Sequence, residues 1–143
     1  MTLRPAALED VAAMHVLRMS VLENRQRDPS RITEADYHPF LRQPRASWVA
    51  EDGNRLVGFA IADIKARSVW ALFVSPDCEG RGIGRSLLKQ LTSCLIESGS
   101  GPIHLFTEPG TRAARFYAAA GWFKTGIDHN GQVRFERNVQ GAT

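Results

Sequence analysis

Apolar residues along this chain follow two different periods, and the change from one to the other divides it. Near the start, Val11, Met14, Leu17 and Val21 recur at intervals of three and four, the spacing that lines one face of an α-helix. A short strand, Leu3-Arg4-Pro5, precedes this helix. The helical pattern ends in Glu23-Asn24-Arg25-Gln26-Arg27-Asp28-Pro29-Ser30, where charge replaces periodicity and Pro29 stops a helix. A second, shorter helix begins at Thr33, whose hydroxyl suits the capping of free amides, with Asp36 three residues on as its partner. It carries Tyr37, His38, Phe40 and Leu41.

From Ser47 the period shortens to that of strands. Trp48-Val49-Ala50-Glu51 and residues 56–64 form an antiparallel hairpin about Asp52-Gly53-Asn54, where Asp-Gly supplies the positive φ of a tight turn. A third strand covers residues 68–74 and breaks at Ser75-Pro76. A glycine-rich turn follows, then a helix with Leu87, Leu88, Leu91, Cys94 and Leu95 on one face, ended by Ser98-Gly99-Ser100-Gly101-Pro102. Residues 103–107 return as a strand, by a crossover that sets them parallel to the strand before the turn. Pro109-Gly110-Thr111 opens a further helix in which Ala113, Phe116, Tyr117 and Ala120 share a face, closed by Gly121. Two strands, 122–127 and 132–137, flank the polar turn Asp128-His129-Asn130-Gly131, and the tail from Gln140 is expected to fray.

The glycine turn is the chemically informative stretch. Gly80, Gly82 and Gly84 stand at every second position between a strand and a helix, so the backbone can pass close to a bound group with its amides outward. This is an anion cradle. A Walker loop requires Gly-Lys-Ser/Thr, whereas Gly84 is followed by Arg85 and the next lysine is Lys89. The dinucleotide fingerprint requires G-x-G-x-x-G in an early βαβ unit, whereas this turn follows a meander of strands.

Composition narrows the ligand. With 143 residues, the expectation is a single domain over residues 1–143 with one buried core. The hydrophobic fraction of 43% and charged fraction of 23% are ordinary for a soluble protein, and no run approaches the ~18 apolar residues of a membrane span. Met1-Thr2-Leu3-Arg4-Pro5 lacks a signal peptide's apolar core, and Cys78 and Cys94 read as free thiols of a cytoplasmic protein. Of the 18 basic residues 15 are arginine, which favours an anionic ligand. Their scatter, without a basic run, argues against nucleic acid. No histidine pair stands at metal spacing, so no metal is expected.

The order β-α-α-β-β-β-turn-α-β-α-β-β, with these motifs in place, resembles the GNAT superfamily of acyl-CoA-dependent N-acyltransferases. The family's pyrophosphate loop, Q/R-x-x-G-x-G/A, falls on Glu79-Gly80-Arg81-Gly82-Ile83-Gly84. The helix Ala113-Ala114-Arg115-Phe116-Tyr117 followed by Gly121-Trp122 matches its A-x-x-Φ-Y-x-x-x-G-F ending. The resemblance spans residues 2–138. It implies an α/β (α+β) fold with a central mixed, mostly antiparallel, splayed sheet flanked by about four helices. It also implies acetyl-CoA as cosubstrate, transferring acetyl to a primary amine of a small molecule or peptide by direct attack in a ternary complex, and a possible homodimer.

Carried over residue by residue, the resemblance puts the Leu72 amide on the thioester carbonyl, with those of Phe73 and Val74 along the pantetheine arm. The amides of Arg81, Gly82, Ile83, Gly84 and Arg85 then hold the pyrophosphate, with the helix dipole. Tyr117 matches the family's proton donor to the departing thiolate. Three positions depart from the pattern. Glu79 brings an acidic side chain near a pyrophosphate, unfavourable unless it turns outward. Gly110 replaces an asparagine, and Ser68 stands where many relatives carry a glutamate base. An alkylamine is only about 0.04% neutral at pH 7, so a base is needed. Glu23 ranks first, because the turn after the first helix walls the family's acceptor site, then Glu108, with Asn24 and Asp63 behind. Asn24, Tyr37 and Trp70 are the acceptor-side candidates, Trp70 sharing a strand face with Ser68 and Leu72 by alternation. Cys78 has no evident partner histidine, so an acyl-enzyme is not expected. The rival reading is a non-catalytic acyl-CoA-binding or regulatory module. Transfer to a hydroxyl, or from another acyl donor, is equally compatible with the residues.

Overall fold

A computed structural model describes residues 1–22 and 32–138. In chain order the elements are β1 (Thr2–Pro5), α1 (Val11–Leu22), α2 (His38–Leu41), β2 (Ser47–Asp52), β3 (Arg55–Asp63), β4 (Ser68–Val74), α3 (Ile83–Glu97), β5 (Ile103–Thr107), α4 (Arg112–Ala119), β6 (Phe123–Ile127) and β7 (Val133–Arg137). Single 3-10 turns lead into α1, at Leu8–Asp10, and into α2, at Glu34–Tyr37. One seven-stranded sheet runs in the order β1-β2-β3-β4-β5-β7-β6, antiparallel throughout except between β4 and β5. The mixed, mostly antiparallel, splayed sheet with four helices is the expected architecture.

Helices cover both faces of the sheet because the buried strands are apolar on both. On one side Val11, Met14 and Leu17 of α1 pack on Phe59, Ile61 and Ala71. On the other, Leu87, Leu88, Leu91 and Leu95 of α3 cover Val57, Ala60 and Ile103. Gly58 allows the second contact: a Cβ there would lie 3.1 Å from Leu87 Cδ1 and 3.2 Å from Ile83 Cγ2, tighter than packed side chains normally sit.

Two local features depart from simple alternation. Val69 pairs with Ala62 and Ala71 with Ile61, so Trp70 is the extra residue of a bulge. The bulge turns Trp70 to the α1 side with Ala71 and Phe73, whereas Leu72 and Val74 belong to the α3 side. Trp70 therefore does not share a face with Leu72, as regular pleating predicts. In the β2–β3 hairpin Asp52 pairs with Arg55, so the two-residue loop is Gly53-Asn54, with Gly53 at φ +65°, one residue beyond the expected Asp-Gly. Before α2, Asp36 does the capping: its carboxylate accepts the Thr33 backbone N–H at 2.7 Å and the Thr33 hydroxyl at 3.3 Å.

β4 and β5 are joined at one end only. Ser68 pairs with His104, and the His104 N–H donates to Arg67 O at 3.0 Å; no other pair in these strands is in register. Arg67, at φ +55°, fastens that end by donating to Leu95 O in the last turn of α3 and to Gly101 O in the loop after it, each at 3.0 Å. Beyond the fastening the strands part.

Candidate functional site

The gap between β4 and β5 opens into a cleft of about 810 Å³, within the usual size of small-molecule sites. It passes through the sheet, and its two sides differ in chemistry.

The side under α3 and α4 is built from main chain. Ser75 N–H donates to Val57 O at 2.8 Å, and peptide groups alternate in direction along an antiparallel strand. The peptide groups of Ala71 and Phe73 therefore also face β3, while those of Leu72 and Val74 point to the edge that β5 has left. The Leu72 amide is thus open, as expected, but the Phe73 amide, expected to lie along a ligand, is turned into the sheet. Below them the chain tightens through a 3-10 turn at Pro76–Cys78 into the glycine loop. The Arg55 guanidinium braces this turn, donating to both Asp77 oxygens at 2.7 and 2.9 Å and to Ser75 Oγ at 2.8 Å. These partners, Arg55 first, hold the Asp77 carboxyl well below the usual carboxylate range.

Gly82 sits at φ +82° immediately before α3, a left-handed conformation that costs a residue with a Cβ about 1 kcal/mol or more. No side chain caps the helix, and the first helical bond is Ser86 N–H to Gly82 O at 3.0 Å. The amides of Ile83, Gly84 and Arg85 therefore have no partner within the helix, and all three residues line the cleft with Gly80 and Gly82. Arg81 is the member of the predicted set whose side chain leaves: its guanidinium lies 3.7 Å from Asp52, and it does not line the cleft. Glu79 does not turn outward. It lines the cleft and its carboxylate meets Arg112 Nη1 at 3.1 Å, spanning the mouth between the loop and α4.

Tyr117 stands opposite the opened edge of β4, 6% exposed, in ring contact with Phe116, Trp122 and Phe135. Thr111 Oγ1 sets the start of its helix by accepting from Ala114 N–H at 3.2 Å. Burial pushes the phenol pKa up, which keeps its proton in place.

The side under α1 is aromatic and charged. Trp70 and Phe73 of β4 face His104 and Phe106 of β5 and Glu108 just after it, and α1 contributes Val21 and Arg18. Burial, then Arg134, holds the His104 imidazole below its ordinary value, which favours its neutral form. The Arg18 guanidinium carbon lies 4.8 Å from the Trp70 ring centre and 5.1 Å from that of Phe73. Sequence reasoning missed Arg18; the one signal was a cation placed beside Leu17 and three residues before Val21 on an apolar helix stripe.

Other predicted residues lie elsewhere. Tyr37 is fully buried behind the Trp70 ring, at 5.3 Å, and its hydroxyl shares a hydrogen bond with His15 Nδ1 at 3.1 Å, so it backs the wall without forming it. Asp63 accepts from Ala66 N–H at 3.1 Å in the β3–β4 turn, away from the cleft. Glu23 and Asn24 lie outside the described residues. Cys78 and Cys94 are buried free thiols. Among the described residues no cluster of His, Cys, Asp or Glu is placed to hold a metal ion, and no helix is long and apolar enough to cross a membrane.

A row of open amides leading from a helix N-terminus to a buried phenol suits an elongated ligand with an anionic head and an acyl group at its far end. Known proteins are similar to this chain in sequence and in fold. The model of the acetyltransferase (GNAT) family matches residues 10–122. A serotonin N-acetyltransferase of rice, described as chloroplastic, is 28% identical over 89 residues, 57% of this chain and 44% of its own. This chain thus matches less than half the length of that curated relative. Among solved structures, the PaiA N-acetyltransferase of Thermoplasma acidophilum, in complex with coenzyme A, superposes with a TM-score of 0.80 at 17% identity, covering 96% of this chain and 98% of its own. YncA of Salmonella typhimurium, a putative acetyltransferase with acetyl-CoA, gives 0.74 at 20% identity, covering 98% and 94%. The match over residues 10–122 takes in α1, the splayed strands, the glycine loop and the Tyr117 helix alike, and by it the chain belongs to the acetyltransferase (GNAT) family.

Proposed function

We propose that the protein is an N-acetyltransferase that moves an acetyl group from acetyl-CoA to a primary amine by direct attack within a ternary complex, residues 1–143 forming one such domain. The parting of β4 from β5 carries this reading, because it leaves the Leu72 amide open between the free amides of α3 and the Tyr117 phenol.

In this mechanism the amides of Gly82, Ile83, Gly84 and Arg85, with the positive end of α3, hold the pyrophosphate, and Arg81 contributes backbone only. The pantetheine arm lies along β4 on the peptide groups of Val74 and Leu72. The Leu72 N–H donates to the thioester carbonyl oxygen and continues to do so as that oxygen gains charge. The amine enters from the α1 side, between Trp70 and Phe106, and adds to the carbonyl carbon. The C–S bond then breaks, the thiolate takes the Tyr117 proton, and the attacking nitrogen loses one of its own. Glu108, just after β5 and on the cleft wall, is the described carboxylate best placed to accept that proton; Glu23 keeps its candidacy from sequence alone. The absence of a glutamate at Ser68 is what supports the rival, non-catalytic reading.

Titration calorimetry with acetyl-CoA, followed by thiol release on an amine panel, tests the proposal. Micromolar binding with amine-dependent thiol release is the expected result; binding without release on any amine favours the non-catalytic module, and no binding overturns both. A cytoplasmic location is part of the same proposal, supported by the two free cysteines. So is a homodimer, supported by Phe123 and Ile127, 51% and 61% exposed on the edge strand β6; sedimentation at twice the chain mass is its expected outcome.

A further inference from the structure

Arg18 is the one charged group of α1 on the cleft wall, and its surroundings are unusual for a cation. Its Nε and Nη1 are inaccessible to solvent and have no hydrogen-bond partner. Among the described residues no carboxylate forms an ion pair with it; its neighbours are the rings of Trp70, Phe73 and, at 6.0 Å, Tyr37, whose hydroxyl it also approaches as a hydrogen-bond donor. Ring faces attract the cation, yet they leave the in-plane N–H groups unsatisfied, and an unpaired buried donor is costly. Nε–H points to the Nη2 side of the guanidinium and Nη1 to the other, so a carboxylate would place its two oxygens across the Nη1–Nη2 end of this planar fork, which satisfies Nη1. The Tyr37 ring, wedged behind Trp70 and tied to His15, fixes the wall against which the fork lies.

We propose that the acceptor is a small amino carboxylate, an amino acid or close analogue, whose carboxylate is bound by Arg18 while its amine faces the cleft. The inference rests on the acetyltransfer reading above and adds the class of acceptor. It sets polyamines and other polycations aside, since a second positive group beside a desolvated guanidinium is repelled. The apolar lining from Trp70, Phe73, Val21 and Phe106 favours an uncharged, bulky side chain on that acceptor.

The test compares free amino acids with their carboxamides, at equal concentration and a pH fixed so that the amines are equally neutral. For the protein as it stands, thiol release with acetyl-CoA is expected to favour the free acid by at least tenfold in kcat/KM, chiefly through KM. Arg18→Met, which keeps the length and apolar stem, should abolish that preference, lowering kcat/KM for the acid by at least tenfold and changing that for the carboxamide by less than threefold. Acetyl-CoA affinity, measured on the same variant by calorimetry, should stay within threefold, which separates loss of recognition from loss of fold. If Arg18→Met lowers that affinity more, Arg18→Lys takes its place, expected to retain a reduced preference for the acid. Equal use of acid and carboxamide, or turnover confined to amines without a carboxylate, overturns the inference and leaves the acetyltransfer reading standing. Failure to bind acetyl-CoA overturns that reading and this inference with it.

Discussion

A buried phenol keeps its proton because the charged form would lose hydration that the surrounding rings cannot replace, and Tyr117 is in that position. Its pKa lies above the ordinary value near 10, so the acid form prevails at every pH below about 10, and no decline on the alkaline side is expected from it near neutral pH. Tyr117→Phe should lower kcat about a hundredfold or more while leaving acetyl-CoA affinity nearly unchanged, as steady-state kinetics with calorimetry would show. Tyr117 was legible in the sequence because a helix-face tyrosine four residues before Gly-Trp is a local pattern. Arg18 was not, because what marks it is the company of Trp70 and Phe73, more than fifty positions away. Glu79 was half legible: its charge was plain, but its partner Arg112 lies on another element.

At the scale of elements, the seven strands and four helices of the described residues were recoverable from hydrophobic spacing, since α1 and α3 each bury one stripe and the hairpin turn carries its glycine. What spacing cannot show is the bulge at Trp70, one extra residue against the partner strand, or the parting of β4 from β5, which is a matter of pairing between strands about thirty residues apart. The entry to α1 illustrates a contact of the same hidden kind. Asp10, 8% exposed, takes Arg4 Nη1 and Nη2 at 2.8 Å each and the Ala7 N–H at 2.7 Å. Arg4 is the main cause of its lowered pKa. Asp10→Asn should cost about 2 kcal/mol in urea unfolding at pH 7. Because the native pKa is below the unfolded one, near 4, the natural chain holds this contribution above pH 4 and loses it as the pH falls further. The difference between the two proteins should therefore shrink on acidification.

For the whole molecule, the cleft is lined from β4, β5, α1, α3, α4 and the glycine loop, so a ligand that fills it ties together parts of the chain up to a hundred residues apart. Donor binding should accordingly be visible as global stabilisation. At a hundred times Kd the gain is about 2.7 kcal/mol, about 8 °C in Tm for a chain of this length. A thermal scan with and without acetyl-CoA checks this, and free amino acid added with the donor should raise Tm further. At this scale the sequence was most informative about the donor half, since backbone amides at a helix start are announced by glycines. It was least informative about the acceptor half, whose walls are side chains from α1, β4 and β5 meeting on the far face.

The fastening of β4 to β5 at Ser68 and His104 alone has a consequence for traffic. A sheet is normally a partition, and a gap with one closed end turns it into a doorway with separate approaches. One opens beneath α3 and α4, the other beneath α1. Two reactants can then stand on opposite thresholds without crossing, and neither product need wait for the other to clear the passage. Initial rates measured against both substrates should give intersecting reciprocal lines, and parallel lines would mean that the acetyl group passes through a covalent enzyme intermediate instead of moving directly.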